Sequence, residues 1–215
     1  LGLARALSRA VTADAGLAPS ADDLTAAQTA DLNRAQQLLD AVFLRIGDSS
    51  PDAAQAAQLI RADLLAAQGQ VAEAADAYQA VLLQDPDNAT AIEGLARTLL
   101  AAGQADEAIA RYQAAADAAE TAEGRNRWLM TIAATYRSLA RFDDAEQVYQ
   151  GMSEADPASG NPPGGNSAAH QALGDLYQAA NRLDDAIAQY RLAVEAAPGD
   201  ADMAFRLGRG LLQVG

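Results

Sequence analysis

A chain of 215 residues, half of them hydrophobic, can bury a core of its own, and an apolar fraction led by alanine with only 5% aromatic residues favours closely packed helices. Twenty-nine acidic residues against 15 basic ones, every one of them arginine, leave a net charge of −14, which repels a phosphate backbone and argues against nucleic acid as a partner. The absence of cysteine removes disulfides, thiolate catalysis and cysteine metal sites and leaves the compartment open, with the cytoplasm as the default reading; no run reaches the roughly 18 apolar residues of a membrane helix.

In chain order, Gly2–Leu7 (GLARAL) nearly copies Gly94–Leu99 (GLARTL), so the chain is expected to open inside the first helix of a repeated unit. Residues 12–28 then read as an insertion and residues 31–46 as the second helix of this partial unit, 1–52, unless a single helix runs from 21 to 46. Complete units are expected over 53–88, 89–125, 126–166 (with a loop at 158–166) and 167–200, and 201–215 reads as a first helix without its partner. Each unit predicts two amphipathic helices. The first-helix stripes are clearest at Ile92, Leu95, Ala96 and Leu99, then Leu129, Ile132, Ala133 and Tyr136, then Leu173, Gly174 and Tyr177. In 53–88 the stripe is broken by Gln58 and Arg61, and Leu59, Ile60 and Leu64 are expected to pack in their place.

The second helices carry the landmarks. Tyr78, Tyr112, Tyr149 and Tyr190 are separated by 34, 37 and 41 residues, and each follows an alanine by one turn: Ala74, Ala108, Ala145 and Ala186. Eight residues after the tyrosines stand Pro86, Glu120, Pro157 and Pro198, and proline there ends a helix. Gly69, Gly103 and Asn181 lie between the two helices of their units, where a left-handed residue closes one helix and begins the turn.

This combination resembles the tetratricopeptide repeat family over residues 53–215, with the closest agreement at Leu95, Ala96, Leu99, Gly103, Ala108 and Tyr112 and at Leu173, Gly174, Tyr177, Ala186, Tyr190 and Pro198. The resemblance implies an all-α fold, a right-handed α-solenoid or superhelix of antiparallel helix pairs, whose first helices line a concave groove. It implies a noncatalytic scaffold that binds a protein or peptide, with no cofactor. The branch of the family that grips a C-terminal carboxylate does so with lysines and asparagines; here those places hold Leu59, Asp63 and Gly94, and that function is not carried over. The alternative is a structural or self-assembly module. The lysine-free, alanine-rich usage points to a bacterial source.

Residues that could carry chemistry have structural explanations. His170 is the only histidine and lies in a packing stripe, and a metal site needs clustered ligands. GNPPGGN at Gly160–Asn166 has no lysine and reads as a connecting loop rather than a phosphate cradle. Asp143 with Asp144, and Asp184 with Asp185, sit where acids favour a helix N-terminus, so capping and solvation account for them. Trp128 is expected to cover a junction after an ETAEGRN insertion.

The first-helix face opposite the packing stripe carries Asp63; Thr90, Glu93, Arg97 and Leu100; Arg127, Met130 and Arg137; Gln171, Asp175 and Gln178; and Asp202, Phe205 and Arg209. Of these, Glu93, Arg97, Arg127, Met130, Arg137, Gln171 and Gln178 are the candidate ligand-binding residues. Arg97 would pair with Asp63 and Arg209 with Asp175, whereas Arg127 and Arg137 have no evident acidic counterpart and are free to take a carboxylate. Leu207 and Leu211 lack a second helix to cover them, so the segment Phe205–Leu212 is expected to fray or to contact another copy.

Overall fold

A computed structural model of the chain describes residues 25–46, 51–154 and 166–214, and among these residues it contains ten helices and no strand. They are α1 (Ala26–Ile46), α2 (Pro51–Ala67), α3 (Val71–Leu82), α4 (Ala89–Ala101), α5 (Ala105–Ala118), α6 (Ala122–Ser138), α7 (Phe142–Ser153), α8 (Ser167–Ala179), α9 (Leu183–Ala196) and α10 (Ala201–Val214). The fold is all-α, with helix pairs stacked in the manner of an α-solenoid. Two compact units divide within α5, at Arg111 and Tyr112. In the first, α1 packs on α2, α2 on α3 and α3 on α4; in the second, each of α6 to α9 packs on the helix that follows it.

The helix boundaries are written in short polar signals. Thr25 Oγ1 accepts from Gln28 N while Gln28 Oε1 accepts from Thr25 N, a reciprocal capping box that starts α1. The expected insertion at 12–28 therefore gives way to helix at Ala26; its remaining residues up to 24, like Gly2–Leu7 and the loop up to residue 165, lie outside the described residues. Asn88, Thr121 and Asn166 cap α4, α6 and α8 through their side-chain oxygens. The Thr121 cap corrects the reading of ETAEGRN as an insertion. Most of that segment is the first turn of α6, the expected division at 125/126 falls inside the helix, and Trp128 stands in the second turn.

Among the described residues the four turns within the pairs are the same device. After α2, α4, α6 and α8 the chain closes a three-residue turn with paired bonds of the kind Gly69 N to Ala66 O and Gln70 N to Leu65 O, and equivalent pairs end at Gln104, Arg141 and Arg182. The motif demands a left-handed residue, supplied by Gly69 and Gly103 and by Asn181 at φ 59°. At the third turn it falls on Ala140, φ 57°, where a Cβ is strained by about 1 kcal/mol or more. Ala140→Gly is thus expected to raise the stability of the chain by up to about 1 kcal/mol, despite the added freedom of glycine in the unfolded state. A denaturant midpoint unchanged or lowered by this substitution contradicts the strain.

Alanines set the spacing of the helices, and aromatic and branched residues fill what remains. In the first unit Leu32, Ala35 and Leu39 of α1 meet Ala57, Ile60, Leu64 and Ala67 of α2. Leu59, Ile60 and Leu64 are all buried, as the broken stripe predicts, and Gln58 is half-buried, its Oε1 buried and without a hydrogen-bond partner among the described residues. In the second unit Ala145, Tyr149 and Met152 of α7, Ala169, Ala172, Leu173, Leu176 and Tyr177 of α8, and Ala186 and Tyr190 of α9 form one cluster. The landmark tyrosines are core residues: Tyr78, Tyr149 and Tyr190 are each 1% exposed.

Two glycines exist to receive those rings. A Cβ at Gly174 would stand 2.6 Å from Tyr190 Cδ1, and one at Gly94 would stand 2.8 Å from the Tyr78 hydroxyl, with ring carbons closer still. The sockets lie on opposite sides of their tyrosines in sequence. Ala62 precedes Tyr78 by the same 16 residues as Gly174 precedes Tyr190, and it carries a methyl where Gly174 carries none; the Tyr78 ring lies instead against Gly94 of the next pair.

Candidate functional site

The socketed tyrosines end in hydroxyls, and a buried hydroxyl must be bonded. In the second unit Tyr190 donates to Asp175 Oδ1 at 2.7 Å, with Gln178 Oε1 at 3.1 Å. The same carboxylate accepts from Arg206 Nη1 at 2.8 Å, and Arg206 Nε donates to Asp202 at 2.8 Å. Arg209 donates to Gln178 Oε1 at 3.1 Å, and Gln178 Nε2 to Gln213 Oε1 at 3.1 Å. With its amide oxygen turned towards Arg206, Gln171 accepts from Nε and Nη2 at 3.1 and 3.2 Å. One polar network thus joins the exposed faces of α8 and α10 above the ring of α9.

This corrects the expected pairing of Arg209 with Asp175. The residue that reaches Asp175 is Arg206, because it lies beside Asp202 one turn earlier and its long stem carries the guanidinium across to α8. Burial foremost, then the bond to Asp175 and its charge, push the Tyr190 phenol above its ordinary range, while Arg206 and Arg209 draw it down.

The first unit repeats the motif in reduced form. Tyr78 donates to Asp63 Oδ1 at 2.6 Å, and burial, followed by the Asp63 charge and bond, raises the phenol. Arg97 opposes that rise from the exposed face of α4, where its Nε reaches Glu93 O at 3.4 Å on its own helix. Among the described residues Arg97 forms no ion pair with Asp63, so the second expected rung is absent: the tyrosine holds the carboxylate. Glu93 and Arg97 are exposed on α4.

On α6 the arrangement is different. Arg127 is exposed, and its guanidinium lies over the Trp128 ring, 5.2 Å from the centroid; the indole is buried and stacks on Tyr112 at 5.8 Å. Met130 is partly buried against the core cluster, and Arg137 is exposed near the end of the helix. Among the described residues neither arginine has a carboxylate within 4.0 Å, in contrast to Arg141, Arg182 and Arg206.

The acidic pairs at the starts of α7 and α9 have partners that the sequence did not suggest. The residues preceding these helices are Arg141 and Arg182, whose side chains make no cap bond; each stacks on a tyrosine, Tyr136 at 4.6 Å or Tyr177 at 4.2 Å, and binds an acid, Asp144 at 2.7 Å or Asp185 at 2.8 Å. Asp144 and Asp185 therefore tether the turn rather than cap the helix. His170 is buried, its Nδ1 2.9 Å from Gln189 Oε1. Among the described residues no group of three or more acids and histidines could hold a metal ion, and no helix is long and apolar enough to cross a membrane.

Family profiles described as tetratricopeptide repeat match residues 24–89, 65–126 and 167–210, together more than half of the chain. The chain belongs to the tetratricopeptide repeat family. As such it is a repeat scaffold of a kind that in general serves protein interaction and carries no enzymatic activity. The fold is similar to that of a tetratricopeptide repeat protein from Parabacteroides merdae (19% identity, 96% of this chain and 77% of that one, TM-score 0.49). It is also similar to a thermophilic one from Thermus thermophilus (18%, 97% and 99%, TM-score 0.40) and to the MamA protein (19%, 73% and 80%, TM-score 0.44). No curated protein matches the repeat chain.

Of the candidate residues, Gln171 and Gln178 are brought together with Asp175 and α10, Arg127 and Arg137 share α6, Met130 turns inward, and Glu93 with Arg97 belong to the other unit. Sequence reasoning missed Arg206 and the tyrosine hydroxyls. A signal was present in the equal spacing of 15 residues from Asp63 to Tyr78 and from Asp175 to Tyr190.

Proposed function

We propose that this tetratricopeptide repeat chain is a noncatalytic scaffold that holds an acidic segment of a partner protein or peptide on the first-helix face of its second unit. The observation that carries the reading is Arg127, a cation over a buried indole with no acid within 4.0 Å among the described residues, in a protein of net charge −14. Stacking holds a guanidinium by its face and leaves its edge for bidentate bonds to a carboxylate. Arg137 supplies a second cation three turns on. Gln171 is oriented by Arg206 and offers an amide to the backbone of an extended ligand.

The test is anisotropy of a labelled glutamate- and aspartate-rich peptide at several salt concentrations. Charge-assisted bonds lost without burying a bare charge predict roughly tenfold to hundredfold weaker binding for the Arg127→Ala/Arg137→Ala double variant, most of it at low salt. Both side chains are exposed and only Arg127 gives up a contact, its stacking on Trp128, so the melting midpoint should fall by no more than about 4 °C. Equal affinity of the double variant at every salt concentration excludes this reading.

A further inference from the structure

Four first-helix positions stand 15 residues before a landmark tyrosine: Asp63 before Tyr78, Arg97 before Tyr112, Ala134 before Tyr149 and Asp175 before Tyr190. Where the position holds aspartate, in the pairs α2–α3 and α8–α9, its carboxylate accepts the tyrosine hydroxyl at 2.6 or 2.7 Å. In the pair α6–α7 it holds Ala134, which is exposed. Tyr149 is as buried as Tyr78 and Tyr190, at 1%, and packs in one core with Ala133, Ala145 and Leu173. Yet its hydroxyl has no hydrogen-bond partner among the described residues. The polar side-chain atom sealed without a partner among those residues is Gln58 Oε1, so the Tyr149 hydroxyl oxygen opens to water instead.

The cations of α6 flank the same place. Arg127 and Arg137 stand at i−7 and i+3 from Ala134, on the exposed side of the helix, and neither has a carboxylate within 4.0 Å among the described residues. At the equivalent place on α8 the Asp175 carboxylate takes one bond from Tyr190 and one from Arg206. On α6 the hydroxyl and the guanidinium groups are present and the carboxylate is missing.

We infer that the place over Ala134 is a carboxylate subsite, filled by an aspartate or glutamate side chain of the partner that bonds to the Tyr149 hydroxyl and pairs with Arg137. The inference rests on the reading of this face as an acidic-peptide site and assigns one of its contacts. Alanine leaves open the volume that the carboxylate of Asp175 occupies on α8, so an incoming carboxylate displaces nothing. The buried ring fixes its hydroxyl before the ligand arrives, and bonds to a carboxylate from a phenol and a guanidinium are directional, so the contact selects a carboxylate rather than negative charge in general. The stripe continues from Ala134 both ways, to Arg127 and to Arg137, which suits an acid within a chain better than one at its end. Asp175 is already paired with Arg206 and does not repel the newcomer as a bare acid would.

Anisotropy with a labelled glutamate- and aspartate-rich peptide, blocked at both termini, tests the subsite. Tyr149→Phe is expected to weaken binding roughly threefold to thirtyfold with unchanged helix content, since that hydroxyl makes no bond within the described chain. Ala134→Asp supplies the carboxylate from the chain itself and should weaken binding by about tenfold or more, whereas the uncharged Ala134→Asn should weaken it less. A double-mutant cycle gives a readout without ligand: the melting midpoint of Ala134→Asp, relative to its parent, should be roughly 2 to 4 °C higher with Tyr149 present than in the Tyr149→Phe background. Equal affinity of Tyr149→Phe and the wild-type chain, or an Ala134→Asp midpoint indifferent to the hydroxyl, overturns the subsite and leaves the result for Arg127→Ala/Arg137→Ala standing by itself. A peptide that binds only with its C-terminal carboxylate free overturns the assignment to a side chain. A wild-type chain that binds neither form overturns both the subsite and the reading beneath it.

Discussion

Gly174→Ala should lower the stability of the folded chain by about 1 to 3 kcal/mol, while Gly208→Ala, 34 residues later on the corresponding face, should raise it by up to about 1 kcal/mol. Both substitutions gain the same helix propensity, so the difference in sign isolates packing. At Gly174 the new methyl overlaps the Tyr190 ring, which is walled in by the core and cannot move without breaking its bonds to Asp175 and Gln178. At Gly208 the methyl enters open space. For a domain of this size each kcal/mol moves the melting midpoint by roughly 2 to 4 °C, so calorimetry at dilute concentration separates the two variants. Shifts of the same sign for both would contradict the socket.

The second large effect is alkaline. The phenols of Tyr78 and Tyr190 are raised above the unfolded value of 10.0, by burial first and by neighbouring carboxylates next. A group whose folded pKa is raised contributes stability that is complete below the unfolded pKa and is lost as pH rises beyond it, because the unfolded chain then releases a proton that the folded chain keeps. Above about pH 10 the two tyrosines together should remove up to about 2.7 kcal/mol per pH unit. Denaturant titrations at rising pH measure that slope. Tyr78→Phe/Tyr190→Phe should flatten it, even though the variant is somewhat less stable at neutral pH for want of two hydrogen bonds. If the ultraviolet phenolate signal of the folded wild-type chain shows every tyrosine titrating near the unfolded value, the coupling does not exist.

Much of the fold was legible because repetition turns weak local signals into aligned ones. Tyr78 alone says little; four tyrosines, each one turn after an alanine, define two packed helices per unit. Gly69, Gly103 and Asn181 announce their turns by residue type, whereas Ala140 adopts the same left-handed conformation and has no side-chain signature to reveal it. The start of α6 was hidden because ETAEGRN read as an insertion, whereas the Thr121 oxygen that accepts from Gly124 N caps a helix there. The exposed face was the least legible part. A helical wheel places Cα positions, but Arg206 acts at the end of a long stem, and Tyr78 and Tyr190, read as core landmarks, deliver their hydroxyls to carboxylates on the surface side.

The sole tryptophan and its stacking partner Tyr112 both stand in the second unit. Emission therefore reports on one half of the molecule, and α1 to α4 are dark in that channel. A chain that has opened around Leu32 and Ile60 while Trp128 stays stacked shines like the native protein, and only its lost ellipticity betrays the change. Nature has labelled one end of this molecule and left the other unlabelled, so a comparison of the two optical signals along one melt divides the folding of the chain without the introduction of a single probe.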